Sequence, residues 1–313
     1  MNCPASGELN VFFESQLAEW KFARRNFEAL RQVETKTFDL DGFSVRVQFN
    51  PARIVSSAAK VDAASVGARK CFLCAENQPP EQRGLPCGNG YRILVNPYPI
   101  FDRHFTIPAE EHVLQSIGDR YGDMLDMARS FDGEVVFYNG PRCGASAPDH
   151  AHFQAVGKGA MPLESEIGRF ATEQVYGEAG AAVYAIRGCL RNGFAIRSAD
   201  PRAASACFRK LYGALDVSPG DPEPMMNVLT WYGAGEWTSC VFPRRKHRPA
   251  CFYAGGADKL LISPAAVDLA GVLIVPREED FLKITAGDIH MIFNEVCVDE
   301  ETLQRIAGQF GAR

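Results

Sequence analysis

Between Tyr138 and Gln154 the chain reads YNGPRCGASAPDHAHFQ. The stretch joins a loop rich in Gly, Pro and Ser, Asn139 to Pro148, to a run from His150 to Val156 that has the character of a strand. On a strand alternate residues share a face, so His150, His152 and Gln154 would project together, with about 6–7 Å between successive members. The loop before them carries Gly140, Gly144 and Ser146. Glycine there lets backbone N–H groups approach an anion closely. An imidazole beside a phosphate-sized anion site suits a nucleophile that attacks phosphorus. The competing reading is an ordinary exposed strand with two incidental histidines.

Working outward, Glu134–Tyr138 predicts a strand, and Val113 to Phe131 carries apolar residues at helical spacing. Phe43–Phe49, Tyr91–Val95 and Phe105–Ile107 predict further strands, the last stopped by Pro108. Residues 9–32 predict a helical arm. Beyond the motif, Asn227–Tyr232, Thr238–Phe242 and Gly271–Val275 are strand candidates, and the neighbourhood of Leu211 and Ile289–Val296 are helical candidates. Gly177–Ala182 and Pro219–Pro224 read as connections. The order of elements predicts an α+β fold, antiparallel sheets with packed helices, rather than regular βαβ alternation. The division expected is an arm at 1–34, a first half at 35–160 and a second half at 180–313.

The 313 residues are 46% hydrophobic, enough for a sizeable core. With 33 basic and 38 acidic residues the formal charge is −5, which argues against a surface built for nucleic-acid phosphates. No apolar stretch approaches the roughly 18–20 residues of a membrane span, and the first residues lack the pattern of a signal peptide. The expectation is therefore a cytoplasmic protein with no nucleic-acid or membrane partner. In a reducing cytosol its ten Cys are expected mostly as free thiols, any paired ones marking a metal rather than a disulfide. Four of the six His (His104, His112, His150 and His152) fall in one third of the chain, which begins soon after Cys71-x-x-Cys74. That cysteine spacing is the spacing of a metal knuckle, and thiolates with imidazoles suit tetrahedral Zn²⁺. Two buried free thiols are the alternative.

The string His150-Ala-His152-Phe-Gln154, preceded by Gly144-Ala-Ser146, resembles the signature of the histidine-triad superfamily in its transferase branch, where Gln takes the third His position. That branch holds uridylyltransferases, dinucleoside polyphosphate phosphorylases and GDP-hexose phosphorylases. Cys71-Phe-Leu-Cys74 is similar to the zinc-binding opening of the uridylyltransferases. Asn96-Pro-Tyr-Pro, followed eight positions later by His104-Phe-Thr-Ile-Pro108, resembles the strand pair around the nucleotide. The resemblance covers residues 43–156, and a fainter one extends over Asn227–Tyr232, Cys240–His247 and Gly271–Pro276.

The resemblance implies a duplicated histidine-triad-like fold whose second half is degenerate; no His-x-His occurs after residue 160. It makes His152 the nucleophile and Gln154 a donor to the phosphorus being attacked. Gly144 and Ser146 would cradle the neighbouring phosphate. Asn96 would contact the ribose and Asn139 would lie near the phosphates, though either Asn also reads as a turn former. Arg142 would pair with phosphate or sit as a solvated surface residue. His104 and His150 would complete a structural Zn²⁺ site with Cys71 and Cys74, while His112 reads as a cap or surface residue. The implied enzyme is a nucleotidyltransferase or phosphorylase, its oligomeric state left open by the sequence, a homodimer being one option. It would take a nucleotide-sugar or dinucleotide through a covalent nucleotidyl-histidine and pass the nucleotide to phosphate or a sugar phosphate. The rivals are a histidine-triad hydrolase and a non-catalytic nucleotide-binding protein. The basic run from Arg244 to Arg248 reads equally as a phosphate site and as a solvated turn.

Overall fold

The computed structural model describes residues 3–310 apart from 41, 55–57, 59, 60, 89 and 179. The outermost residues of the expected division, 1, 2 and 311–313, lie outside the described residues. Among the described residues thirteen strands form two sheets. In the first half they are β1 (Glu34–Leu40), β2 (Phe43–Phe49), β3 (Gly84–Cys87), β4 (Tyr91–Val95), β5 (His104–Pro108), β6 (Glu134–Asn139) and β7 (His152–Gly157). The second half supplies β8 (Glu173–Glu178), β9 (Ala181–Ile186), β10 (Gly193–Ser198), β11 (Met226–Gly233), β12 (Glu236–Pro243) and β13 (Val272–Val275).

Ten strands make one antiparallel sheet in the order β3-β4-β5-β7-β6-β11-β12-β10-β9-β8. Its two halves repeat one plan. Each has three strands, a helix and two more strands, and the fourth strand lies at the joint, followed outward by the fifth, third, second and first. The joint is the β6·β11 pair, with Asn139 opposite Asn227 and Val136 opposite Thr230. The two equivalent helices, Tyr121–Ser130 and Pro201–Ala214, lie on one face, where Tyr121 stacks on Phe208 at 4.0 Å between ring centroids. The fold is thus α+β and duplicated, with antiparallel strands and packed helices.

Both faces of the sheet are covered. Every residue of β6 is buried; Val136 and Tyr138 join the core under the helices, and Val135 and Phe137 join a second core on the opposite face. That is why Val135–Tyr138, the middle of β6, reads as a continuous apolar run rather than an alternating one. The second core is closed by the three-stranded sheet β1-β2-β13, in which β13 runs parallel to β2, and by the helices after β12.

Several expectations shift. The arm is two helices, Ser6–Glu19 and Lys21–Ala29, broken at Trp20, whose φ of −97° and ψ of 90° leave the helical region. The helix expected from Val113 begins at Tyr121, because Val113 and Gln115 are drawn into backbone bonds with Ala151 and Pro148. Gly177–Ala182 is not a simple connection, since it spans the β8–β9 hairpin. The expectation of free or metal-bound thiols fails at Cys3 and Cys87, which form a disulfide. Their Cα atoms lie 4.3 Å apart, because the arm packs on the outer strand β3. The other eight cysteines are free thiols. No described helix is long and apolar enough to cross a membrane.

Candidate active site and metal cluster

On β7, Phe153 and Ala155 enter the helix-side core, so His152 and Gln154 face the other way. There they line a cavity of about 880 Å³ together with Asn96 and Thr106 from β4 and β5, Asn139, and Gly144 and Ser146 of the glycine loop. The second half closes it with His247, Arg248, Ser263, Ala265, Val267 and Asp268, and the arm contributes Trp20 and Phe22.

His152 is buried, and its Nδ1–H donates to the His150 carbonyl at 2.8 Å. That bond places the proton on Nδ1 and leaves Nε2 as the free nitrogen of a cavity-lining ring. Burial lowers its pKa to about 4, against the hydrogen bond to the His150 carbonyl. The β6–β7 ladder ends at Phe137 opposite Gln154. Beyond it Gln115 fills the gap: its Oε1 accepts the His152 N–H at 2.8 Å, and its Nε2 donates to the carbonyls of Asn139 at 2.9 Å and His152 at 3.1 Å. No motif announces Gln115, which lies in an extended segment that only the fold brings to β7.

His104 is fully buried and lies outside the group of donor atoms that includes Cys71 and Cys74, where it was expected. Its Nδ1 accepts the Ile100 N–H at 3.2 Å, so its Nε2–H donates to Gln154 Oε1 at 2.9 Å. Held by its oxygen, Gln154 keeps its amide N–H groups as donors for a ligand. Burial holds His104 down to about pKa 3, with Arg53 nearby acting in the same direction.

Asn96 closes a turn onto Tyr98 N–H at 2.9 Å and donates to Thr106 Oγ1 at 3.0 Å. Asn139 Oδ1 accepts from Asn227 Nδ2 and from Ala266 N–H, each at 2.8 Å, and so ties the two halves together at the cavity floor. Gly144 adopts φ +96°, and a Cβ there would lie 2.5 Å from that of Ala265. Only glycine lets the loop pass so close to the second half. Arg142 does not line the cavity; its side chain is 56% exposed and pairs with Asp221 at 2.8 Å. Of the basic run, Arg244 is buried and spends its guanidinium on five hydrogen bonds within the protein. Arg245 and Lys246 pair with Asp299 and Glu295, leaving only His247 and Arg248 on the cavity. Burial, with Arg248, Arg244 and Arg142 nearby, lowers the His247 pKa to about 3.

Behind the glycine loop, Cys71, Cys74, His112 and His150 bring their donor atoms within 4.8 Å of one another. His112, read from sequence as a cap or surface residue, thus takes the place expected for His104. The sulfur-to-nitrogen distances are 3.3 Å for Cys71 to His150 Nδ1, and 3.2 and 3.6 Å for Cys74 to the Nδ1 atoms of His112 and His150. A tetrahedral Zn²⁺, with bonds of about 2.3 Å to sulfur and 2.0–2.1 Å to nitrogen, sets such edges at roughly 3.5 Å. The second sphere fits as well. His150 Nε2–H donates to the Ala109 carbonyl at 2.8 Å, which frees Nδ1, and His112 Nε2 lies 3.8 Å from Asp149. Burial alone would raise the Cys71 thiol, but its bond with His150 and two backbone bonds bring it down to about 7. Cys74 is raised to about 11 by burial and by Cys71 beside it. The four residues can therefore hold a metal, whose charge would displace both thiol protons. Because the His150 ring belongs to this cluster while its carbonyl holds His152, the cluster and the placement of the His152 ring share one residue.

A cavity over the middle of a duplicated sheet, its histidine oriented by a backbone carbonyl, invites comparison with solved structures. Yeast Ap4A phosphorylase Apa2 aligns over 88% of this chain and 93% of its own, with a TM-score of 0.53 at 16% identity. The chain has the fold of Apa2. Apa2 bound to Ap4A matches equally, at TM-score 0.53 and 16% identity over 88% of this chain and 94% of Apa2. Apa2 bound to AMP gives 0.50 and 18% over 85% and 90%. At the level of sequence, residues 12–157 match a family described as a domain of unknown function, DUF4922. No curated protein matches. The DUF4922 span starts inside the first helix of the arm and ends at the last residue of β7, so it takes in the arm with the first half.

Proposed function

We propose that the protein is a nucleotidyltransferase of the phosphorylase type, working through a nucleotidyl-His152 intermediate. The observation that carries this reading is the His152 ring, whose Nδ1–H is held by the His150 carbonyl while Nε2 remains for a ligand in the cavity. Nε2 attacks the α-phosphorus of a nucleoside diphosphate-sugar or dinucleoside polyphosphate. The N–P bond forms as the P–O bond to the leaving phosphate breaks, and that group departs as an anion. An oxygen of inorganic phosphate or a sugar phosphate then attacks the same phosphorus, and the N–P bond breaks to return His152. The proton stays on Nδ1 throughout, hydrogen-bonded to the His150 carbonyl. Gln154, with its oxygen held by His104, donates N–H to a non-bridging oxygen as charge develops. Ser146 and the Gly144 loop receive the adjacent phosphate, and Asn96 takes the ribose. Zn²⁺ in the Cys71, Cys74, His112, His150 cluster would fix the loop that ends in His150, without touching the substrate.

The test is a mass measurement after incubation with dinucleoside polyphosphates and nucleotide-sugars. A nucleotide-sized adduct is expected on wild type and none on His152→Ala, with turnover lost by a factor of about 10³ or more. Full turnover by His152→Ala would overturn the reading. Adduct discharge that requires added phosphate supports the phosphorylase, whereas discharge in water alone supports the hydrolase.

A further inference from the structure

We infer that the N-terminal arm is part of the nucleotide site: the break between its two helices, Trp20 to Phe22, forms with Tyr98 an aromatic lip on which the nucleobase stacks. This rests on the nucleotide reading of the cavity and adds the residues that hold the base.

Trp20, Phe22 and Tyr98 line the same cavity as His152. The Phe22 ring lies 5.8 Å from Tyr98 in a T-shaped contact and 6.1 Å from Trp20. Trp20 is 4% exposed and forms the back of the lip, whereas Phe22 is 47% exposed. The helix Lys21–Ala29 turns Ala23 and Phe27 into the core and is otherwise mostly polar. Phe22 falls off that core face, so an aromatic ring stands where a solvated helix face ordinarily carries a polar side chain. A large exposed aromatic at the mouth of a cavity is the informative exception to burial.

The lip is held in place. Asn26 Nδ2 donates to the Pro97 carbonyl at 2.6 Å, and Gln16 exchanges hydrogen bonds with Glu81 and Arg83. Phe13 packs edge-on against Phe27 and Phe105, and Cys3 is bonded to Cys87. Its position also suits a base. β7 and β4 are two strand spacings apart, about 10 Å, with Thr106 opposite Gln154 on one side and Leu94 on the other. Asn96 follows β4, and Tyr98 lies two residues further on. A nucleotide with phosphorus at His152 and ribose at Asn96 therefore presents its base to Phe22. Stacking reads the π-face that every base has, so the ligand class is a nucleoside phosphate with little discrimination among bases.

Calorimetric titration with AMP and with ribose 5-phosphate, which lacks the base, tests the lip. Trp20 emission is followed in parallel, since of the three tryptophans it is the one among the cavity's lining residues. AMP is expected to bind more tightly than ribose 5-phosphate and to perturb Trp20 emission. Phe22→Ala should weaken AMP roughly tenfold or more and leave ribose 5-phosphate unchanged, and Phe22→Trp should restore AMP binding. Equal affinity for the two ligands, or wild-type AMP affinity in Phe22→Ala, overturns the lip while leaving the His152 chemistry standing. Binding of neither ligand overturns both.

Discussion

At the scale of single residues, two histidines exchange roles between sequence and structure. His104 sits eight positions after Asn96 in a strand-like context, and its ring is captured by Ile100 N–H and Gln154. His112 sits in an irregular segment with no periodic signal, yet its Nδ1 lies 3.2 Å from Cys74 Sγ. Metal analysis separates them: His112→Ala should lose bound metal, whereas His104→Gln should retain it. The same His104→Gln variant carries a pH signature. His104 is held neutral to about pH 3, while an unfolded histidine takes a proton near 6.5. Below 6.5 the unfolded state binds the extra proton, so stability is complete above that pH and falls as pH drops from about 6.5 toward 3. His104→Gln should flatten that loss by up to one proton in the slope, read from denaturant unfolding between pH 6.5 and 4. An unchanged slope would mean that His104 does not stay neutral in the fold.

At the scale of elements, the decisive arrangement is the splayed end of the β6–β7 pair. The strands themselves are plain in sequence, because Val135–Tyr138 is an unbroken apolar run that suits a strand buried on both faces. The clamp between them is not, because Gln115 is separated from His152 by 37 residues and by the helix Tyr121–Ser130. Gln115→Ala removes three buried hydrogen bonds and leaves the His152 N–H without a partner. A cost of about 3 kcal/mol in stability is expected, measured by urea unfolding. Because the clamp positions His152, the proposed nucleophile, the rate of adduct formation should fall by more than tenfold while AMP affinity changes little. Equal loss of affinity and rate would point to general loosening instead. His150 carries a related lesson: it lies before β7 rather than on it, so its ring turns to the cysteines while its carbonyl holds His152.

At the scale of the whole molecule, the repeated strand order makes one sheet of two halves and places the cavity across their joint. Asn139 on β6 meets Asn227 on β11 and Ala266 beyond β12, while Gly144 passes under Ala265. The motif-bearing half alone therefore does not enclose the site; the second half and the arm complete its walls. By itself the sequence determined the α+β class, the strands β2, β4 and β6, and the grouping of His152, Gln154, Gly144 and Ser146. These are encoded locally, in alternation, in glycine-rich turns and in residues a few positions apart. Tertiary structure alone decided that His112 and not His104 joins the cysteines, that Gln115 clamps His152, that Arg142 stays outside, that Cys3 meets Cys87, and that Trp20 and Phe22 reach the cavity. Each of those depends on which distant segments pack together, and packing is set by burial of the sheet's two faces rather than by spacing along the chain.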